Sequence, residues 1–199
     1  MPKSLSVKEP YPPGDFAIWI IVYVELVTFG FLFVGYAFSR RVHLQMFNES
    51  QLLLNTNIGF INTLLLITSS FFIVKAIQKI KTMTQYNSYE SSIIASKWLL
   101  SAMIFGILFL VLKLTEFSHI FGQGITLSTN TFFMFYLLLT MFHFMHVSLG
   151  VIILFNIYQK TKRQGYSAEE YRGLDTGATY WHLVDLLWIV LFPLVYIIR

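Results

Sequence analysis

Long apolar stretches alternate with short polar ones along this chain. Five stretches are apolar throughout, at about residues 17–39, 57–78, 95–114, 131–158 and 177–198. A bilayer-spanning helix needs about 20 mainly apolar residues, and all five qualify. The intervals between them, "RRVHLQMFNESQ", "QKIKTMTQYNSYESS", "EFSHIFGQGITLSTN" and "QKTKRQGYSAEEYRGLD", are polar and rich in turn formers. No interval is long enough to hold a second domain, and the chain has no internal repeat. The pattern predicts an all-α, polytopic membrane bundle of five transmembrane helices, one domain over residues 1–199.

Composition sharpens this picture. The chain is 56% hydrophobic and 12% charged, with a mean hydropathy of +0.64, whereas soluble domains carry about 25% charged residues. The lack of cysteine excludes disulfides, Cys-bound zinc, iron–sulfur clusters and Cys-bound copper. A net charge of +4 in so apolar a chain reads as membrane-orienting charge, with no nucleic-acid partner. The opening "MPKSLSVKEPYPPGDF" lacks the short apolar stretch and cleavage site of a signal peptide, so the first apolar run is expected to be retained.

Lys3, Lys8, Lys75, Lys79, Lys81, Lys97, Lys160, Lys162, Arg163 and Arg172 fall on one side of the predicted topology. Arg40, Arg41, Lys113 and Arg199 fall on the other. Ten against four predicts a cytoplasmic N-terminus, with Arg40 and Arg41 against the trend. Asp15, in "PPGDF", is placed to cap the first helix.

Ionisable residues inside the runs carry the candidate chemistry, because a bilayer accepts them only where protein or water satisfies them. They are Glu25 in the first run, His143 and His146 in the fourth, and His182 and Asp185 in the fifth. Counted along their helices at about 1.5 Å per residue, they fall at a similar depth and predict one polar membrane cluster. Glu25 has no cation on its own helix, so it is either neutral or paired elsewhere. Gly59, Asn62 and Ser69 line one side of the second helix; Tyr136 and Thr140 extend the histidine side of the fourth. The plain reading is interhelical hydrogen bonding that fixes the bundle.

A metal held by His143, His146 and one of His182, Asp185 or Glu25 is the sharper alternative. His-x-x-His and His-x-x-Asp are weak signals alone, and the ligand count is marginal, so no metal is predicted. His143 and His146 share one side of one helix and cannot clamp opposite faces of a haem. Five histidines, with His43 and His119 in loops, are too few for a haem and copper core. Trp19, Trp181 and Trp188 are candidates for interfacial anchoring or a lipid-binding groove.

The last run, "YWHLVDLLWIVLFPLVYI", resembles the final helix of subunit III of haem–copper oxidases. The family pattern Tyr-Trp-His-x-Val-Asp-x-x-Trp is met by Tyr180, Trp181, His182, Val184, Asp185 and Trp188. "TMFHFMHVSLGVIIL" resembles the family's Phe-His-x-x-His-Val-x-x-Gly helix, through Phe142, His143, His146, Val147 and Gly150. "VELVTFGFLFVGYAFSRR" resembles the segment bearing the family's membrane Glu, met by Glu25. "NTLLLITSSFFI" resembles the next helix, and "FLVLKLTEF" the third, with Glu116 at the acidic position. The resemblance spans about residues 14 to 199 and matches a short, five-helix form. The "PPGDFAIWI" start and short loops look most like the version found with nitric oxide reductases; the short subunits of quinol and cytochrome oxidases are similar.

This resemblance implies a non-redox accessory subunit of the bacterial inner membrane, with no catalytic residues or redox cofactor of its own. It implies packing against a catalytic haem-containing subunit, ordered phospholipid, and support of proton uptake and sustained turnover. His182 and Asp185 would then form a buried pair locking the last helix to the fourth and first. The competing class is an independent membrane enzyme, metal-dependent, or a proton-coupled carrier, using Glu25, His146, His182 and Asp185.

Overall fold

The computed structural model describes residues 14–198; Lys3, Lys8 and Arg199 of the charge count lie outside them. Five long helices are apolar enough to cross a bilayer: α1 (Phe16–Val42), α3 (Thr56–Lys81), α4 (Ser88–Gly122), α5 (Thr131–Lys162) and α6 (Arg172–Phe192). A short helix, α2 (Leu44–Gln51), follows α1, and a π turn, Pro193–Ile197, closes the bundle. No strand occurs among the described residues.

The helices are longer than the apolar runs. Hydropathy sees only the part that matches the bilayer core, whereas hydrogen-bonded turns continue through polar flanks. The third run, expected over 95–114, is thus the core of the much longer α4. The interval "RRVHLQMFNESQ" is not a loop: Leu44–Gln51 is helical and tucks Phe47, Ser50 and Gln51 inward. Side chains set several ends. Asn55 accepts from the amides of Asn57 and Ile58, at 3.0 and 3.3 Å, and Asn130 accepts from Phe133 N at 2.9 Å. Lys79 and Lys81 close α3, and Lys160 and Lys162 close α5, where a cation suits the negative end of the helix. Asp15 does not cap α1 through its side chain; that carboxylate accepts from Thr176 Oγ1 at 3.3 Å and sits 3.8 Å from Arg172. The contact pins the start of α1 to the start of α6.

The bundle is built around α6. In its most apolar window 61% of residues are buried, against 17% for α1, which lies at the edge. Trp181 of α6 is the main wedge. Its ring fills the space left by Gly106 of α4 and Gly150 of α5, where an added Cβ would stand 2.6 and 2.9 Å from ring atoms. Small residues allow this approach, which is how membrane helices gain packing when lipid offers no hydrophobic drive. Trp181 and Trp188 are therefore interior residues, 1% and 0% exposed. This corrects the expectation of a lipid or interface role for both. Trp19, near the start of α1, remains half-buried and packs on Tyr23 at 6.5 Å between ring centres.

Candidate functional site: buried ionisable groups

The five predicted residues do not form one cluster. Glu25 of α1 meets His146 of α5, with Oε2 3.0 Å from Nε2. This is an ion-pair contact whose ring N–H is not aligned for a hydrogen bond, so Oε2 has no hydrogen-bond donor. The other ring nitrogen, Nδ1, lies 2.8 Å from the Phe142 carbonyl. A carbonyl can only accept, so Nδ1 carries a hydrogen. With no hydrogen aligned between Nε2 and Oε2, the contact is electrostatic, and the imidazole is the polar partner that lets α1 carry a carboxyl at that depth.

Asp185 bonds elsewhere. Its Oδ2 accepts from Ser70 Oγ of α3 at 2.6 Å, and Oδ1 has no hydrogen-bond partner. His182 is one turn away and interacts with Asp185 electrostatically without a hydrogen bond. The expected His182–Asp185 lock onto the fourth and first helices is thus replaced by an Asp185–Ser70 lock onto α3. Spacing of three does allow a pair on one helix, but here the Asp185 carboxylate turns to the Ser70 hydroxyl across the α3–α6 contact. His143 is fully buried between Phe109 and Trp188, at 5.7 and 5.1 Å between ring centres. Neither of its ring nitrogens has a hydrogen-bond partner, and the same holds for both side-chain atoms of buried Asn62. Among the described residues no three His, Asp or Glu side chains converge to hold a metal.

The most complete polar group centres on a cation that a topology count treats as surface charge. Lys113 of α4 is 0% exposed. Its Nζ lies 3.0 Å from Glu116 Oε2, and donates to Tyr136 OH at 3.3 Å and Tyr196 OH at 2.7 Å. Both phenols donate to Glu116 Oε1, at 2.7 and 2.5 Å. The ammonium also faces the rings of Phe117, Tyr136, Trp188 and Tyr196, all within 5.3 Å of their centres. α4, α5 and the C-terminal turn are joined here. Glu116 also borders a cavity of about 750 Å³ between residues 52–58 and Thr115, His119 and Ile120 of α4. Glu116 and His119 stand three apart, a spacing used in helical metal sites, but Glu116 turns to the phenols while His119 bonds Gln123 at 3.0 Å.

Arg40 is also internal. With Gln51 it gathers the carbonyls left open at the C-terminal turn: Arg40 Nη1 donates to Ile198 O, and Gln51 Nε2 to Val195 O and Ile198 O at 2.9 and 3.0 Å. A cation or long amide beside an apolar run was the signal for both groups. It is legible as "FLVLKLTEF" and "AFSRR", where a count of surface charge passes over it.

A membrane bundle of five spans whose buried ionisable groups knit its helices together is the class defined by this geometry. The chain belongs to the cytochrome c oxidase subunit III family, whose sequence profile matches residues 16–199. It is 32% identical to cytochrome c oxidase subunit 3 of Thermostichus vulcanus, over 98% of this chain and 94% of that protein. It is 30% identical to cytochrome c oxidase subunit 3 of Synechocystis sp., over 98% of this chain and 85% of that protein. Quinol oxidase subunit 3 of Bacillus subtilis is 27% identical, over 90% of this chain and 84% of its own length. The chain is a multi-pass membrane protein, consistent with the bacterial inner membrane.

Proposed function

We propose that this chain is the accessory subunit of a haem–copper-type respiratory complex, packed against a catalytic haem-containing membrane subunit. The observation that carries the reading is a subunit III match running through all five spans. The relatives named above serve cytochrome c and quinol oxidases; association with a nitric oxide reductase rests on the start of the chain and its short loops alone. In this reading the subunit has no haem, copper or other bound metal, and it stabilises the catalytic subunit, its ordered phospholipid and proton uptake. The positions of the histidines support the first part. His143 is enclosed by rings, His146 is engaged by Glu25, and His182 stands apart from both. The Glu25–His146 contact, whose side chains are partly exposed beside the edge helix α1, supports a link to proton uptake.

The reading also places the N-terminal end in the cytoplasm. Two of the four opposing cations, Arg40 and Lys113, are buried inside the protein and do not contact lipid headgroups, which supports that orientation. Mild-detergent purification of the tagged chain from its host tests the whole proposal. Co-purifying haem, seen in the visible spectrum, and a large catalytic subunit seen by mass are expected. A lone chain carrying its own metal would favour the independent enzyme or carrier instead.

A further inference from the structure

The Lys113 network is built for more than holding three elements together. Tyr136 and Tyr196 both aim their phenolic hydrogens at one carboxylate oxygen, Glu116 Oε1, at 2.7 and 2.5 Å. Each phenol therefore already has its proton acceptor in place. Lys113 donates to the same phenol oxygens and to Oε2, so the oxygens stay hydrogen-bonded if the phenol hydrogens leave. Glu116 also borders the 750 Å³ cavity, with His119 at its wall, which gives the carboxyl a way out to water. The rings are linked, too: Tyr136 to Tyr196 at 6.2 Å, and Tyr196 to Trp188 at 6.4 Å between centres.

Removing an electron from a buried phenol leaves a cation radical, and an unpaired charge in an apolar interior is costly. Moving the proton with the electron avoids that charge on the ring, provided a base is within hydrogen-bond reach. Nothing in the accessory role proposed above calls for such an arrangement. The phenols fill the open positions of the buried carboxylate, and their convergence on one oxygen also gives both of them the same proton acceptor.

We propose that Tyr136 and Tyr196 are an oxidisable tyrosine pair, with Glu116 as proton acceptor and the cavity as the proton's exit. The reaction partner is a high-potential one-electron oxidant, such as a metal-oxo or trivalent metal complex. It takes one electron from Tyr196; the phenol O–H bond breaks, and a new O–H bond forms at Glu116 Oε1. The products are a neutral phenoxyl radical, a neutral carboxylic acid and the one-electron-reduced oxidant. The Lys113 ammonium is unchanged and stays hydrogen-bonded to the phenoxyl oxygen. Release of the Glu116 proton to water in the cavity restores the carboxylate beside Lys113. A one-electron reductant and a proton return the site to its starting state. The ionisable groups around this chemistry are Lys113, Glu116 and His119 of α4, Tyr136 and His143 of α5 and Tyr196 of the turn. The site is a sink for stray oxidising equivalents inside the membrane.

The test uses the full chain in detergent micelles, with photogenerated ruthenium(III) tris-bipyridine as oxidant and freeze-quench electron paramagnetic resonance as readout. A persistent tyrosyl radical is expected, coupled to nitrogen in a sample labelled with ¹⁵N-lysine. Among the described residues only Tyr136 and Tyr196 have a lysine ammonium hydrogen-bonded to their oxygen. This measurement needs no variant, so it stands even if a substitution unfolds the chain. Tyr136→Phe with Tyr196→Phe should remove most of the persistent signal, and Glu116→Gln should abolish the solvent deuterium effect on its formation. A radical without lysine coupling, or a signal of equal yield and lifetime in the double variant, overturns the proposal.

Discussion

Glu25–His146 and Lys113–Glu116 each set a carboxyl against a nitrogen base inside the bundle, but the two settings are opposites. The first joins the edge helix α1 to α5 and is partly exposed, with side-chain exposures of 19% and 11%. The second is enclosed, at 5% and 0% for Glu116 and Lys113, and two phenols complete the hydrogen bonding of the carboxylate. A charge pair deep in a protein is tolerated only when its remaining polar positions are filled. The edge pair needs less, because its side chains are partly open to their surroundings. Breaking either pair should therefore have very different consequences.

The largest effect is expected at Lys113. Lys113→Met leaves the Glu116 carboxylate buried without its cation and should cost about 3–5 kcal/mol. Adding Glu116→Gln removes the orphaned charge and should recover much of that loss. Thermal unfolding in detergent, followed by helical circular dichroism, measures both. A double variant as unstable as the single one would mean that Lys113 acts through packing against its four rings. Packing alone sets the next effect. Gly106→Ala puts a methyl group 2.6 Å from Trp181 Cη2, in a ring that is 1% exposed and gripped from two sides. A loss of about 1–3 kcal/mol is expected, with partial rescue by Trp181→Phe. Neutral behaviour of Gly106→Ala would show that the wedge can shift.

The contrast also explains what could be read in the chain. The five spans were legible because a bilayer imposes an apolar length that no other environment demands. The ends of α4 and the whole of α2 were not, since helical hydrogen bonding continues where hydropathy stops. Glu25 and His146 were found because each is ionisable within an apolar run. Their pairing across α1 and α5 could only be seen in three dimensions. Lys113 was visible in the same way but was assigned to the membrane surface, because a positive charge near a helix end ordinarily reaches the headgroups. What turned it inward was Glu116 three residues on, together with Tyr136 and Tyr196, which lie far away in sequence. Trp188 departs from its expected place for a related reason. A Trp in the last span suits an interface until its indole nitrogen finds Thr63 Oγ1, at 2.9 Å, inside the bundle.

Asp185 offers a smaller test of how helices α3 and α6 are joined. Ser70→Ala and Asp185→Asn should each destabilise by about 1 kcal/mol, and the double variant by less than their sum, because the two groups share one hydrogen bond. His182→Ala combined with Asp185→Asn should instead be close to additive. Strong coupling of Asp185 to His182 but not to Ser70 would restore the pair first read from the sequence.

The smallest stability change is expected at the edge pair. Glu25→Gln keeps the shape of the side chain and should cost less than about 1 kcal/mol, since interhelical polar contacts in membranes are individually weak. Its value is that it separates structure from proton chemistry. In the wild-type protein ¹⁵N spectra of His146 should show Nδ1 protonated, because that nitrogen donates to the Phe142 carbonyl. Nδ1 should remain protonated in Glu25→Gln, while the signal of Nε2 changes as the carboxyl 3.0 Å away becomes a neutral amide. An unprotonated Nδ1 in the wild type would overturn its hydrogen bond to the Phe142 carbonyl. The consequence for function is measured in the assembled complex. If the pair supports proton uptake, Glu25→Gln should assemble normally yet shorten sustained turnover. Unchanged turnover and unchanged proton uptake would leave Glu25 as a contact between α1 and α5 and nothing more.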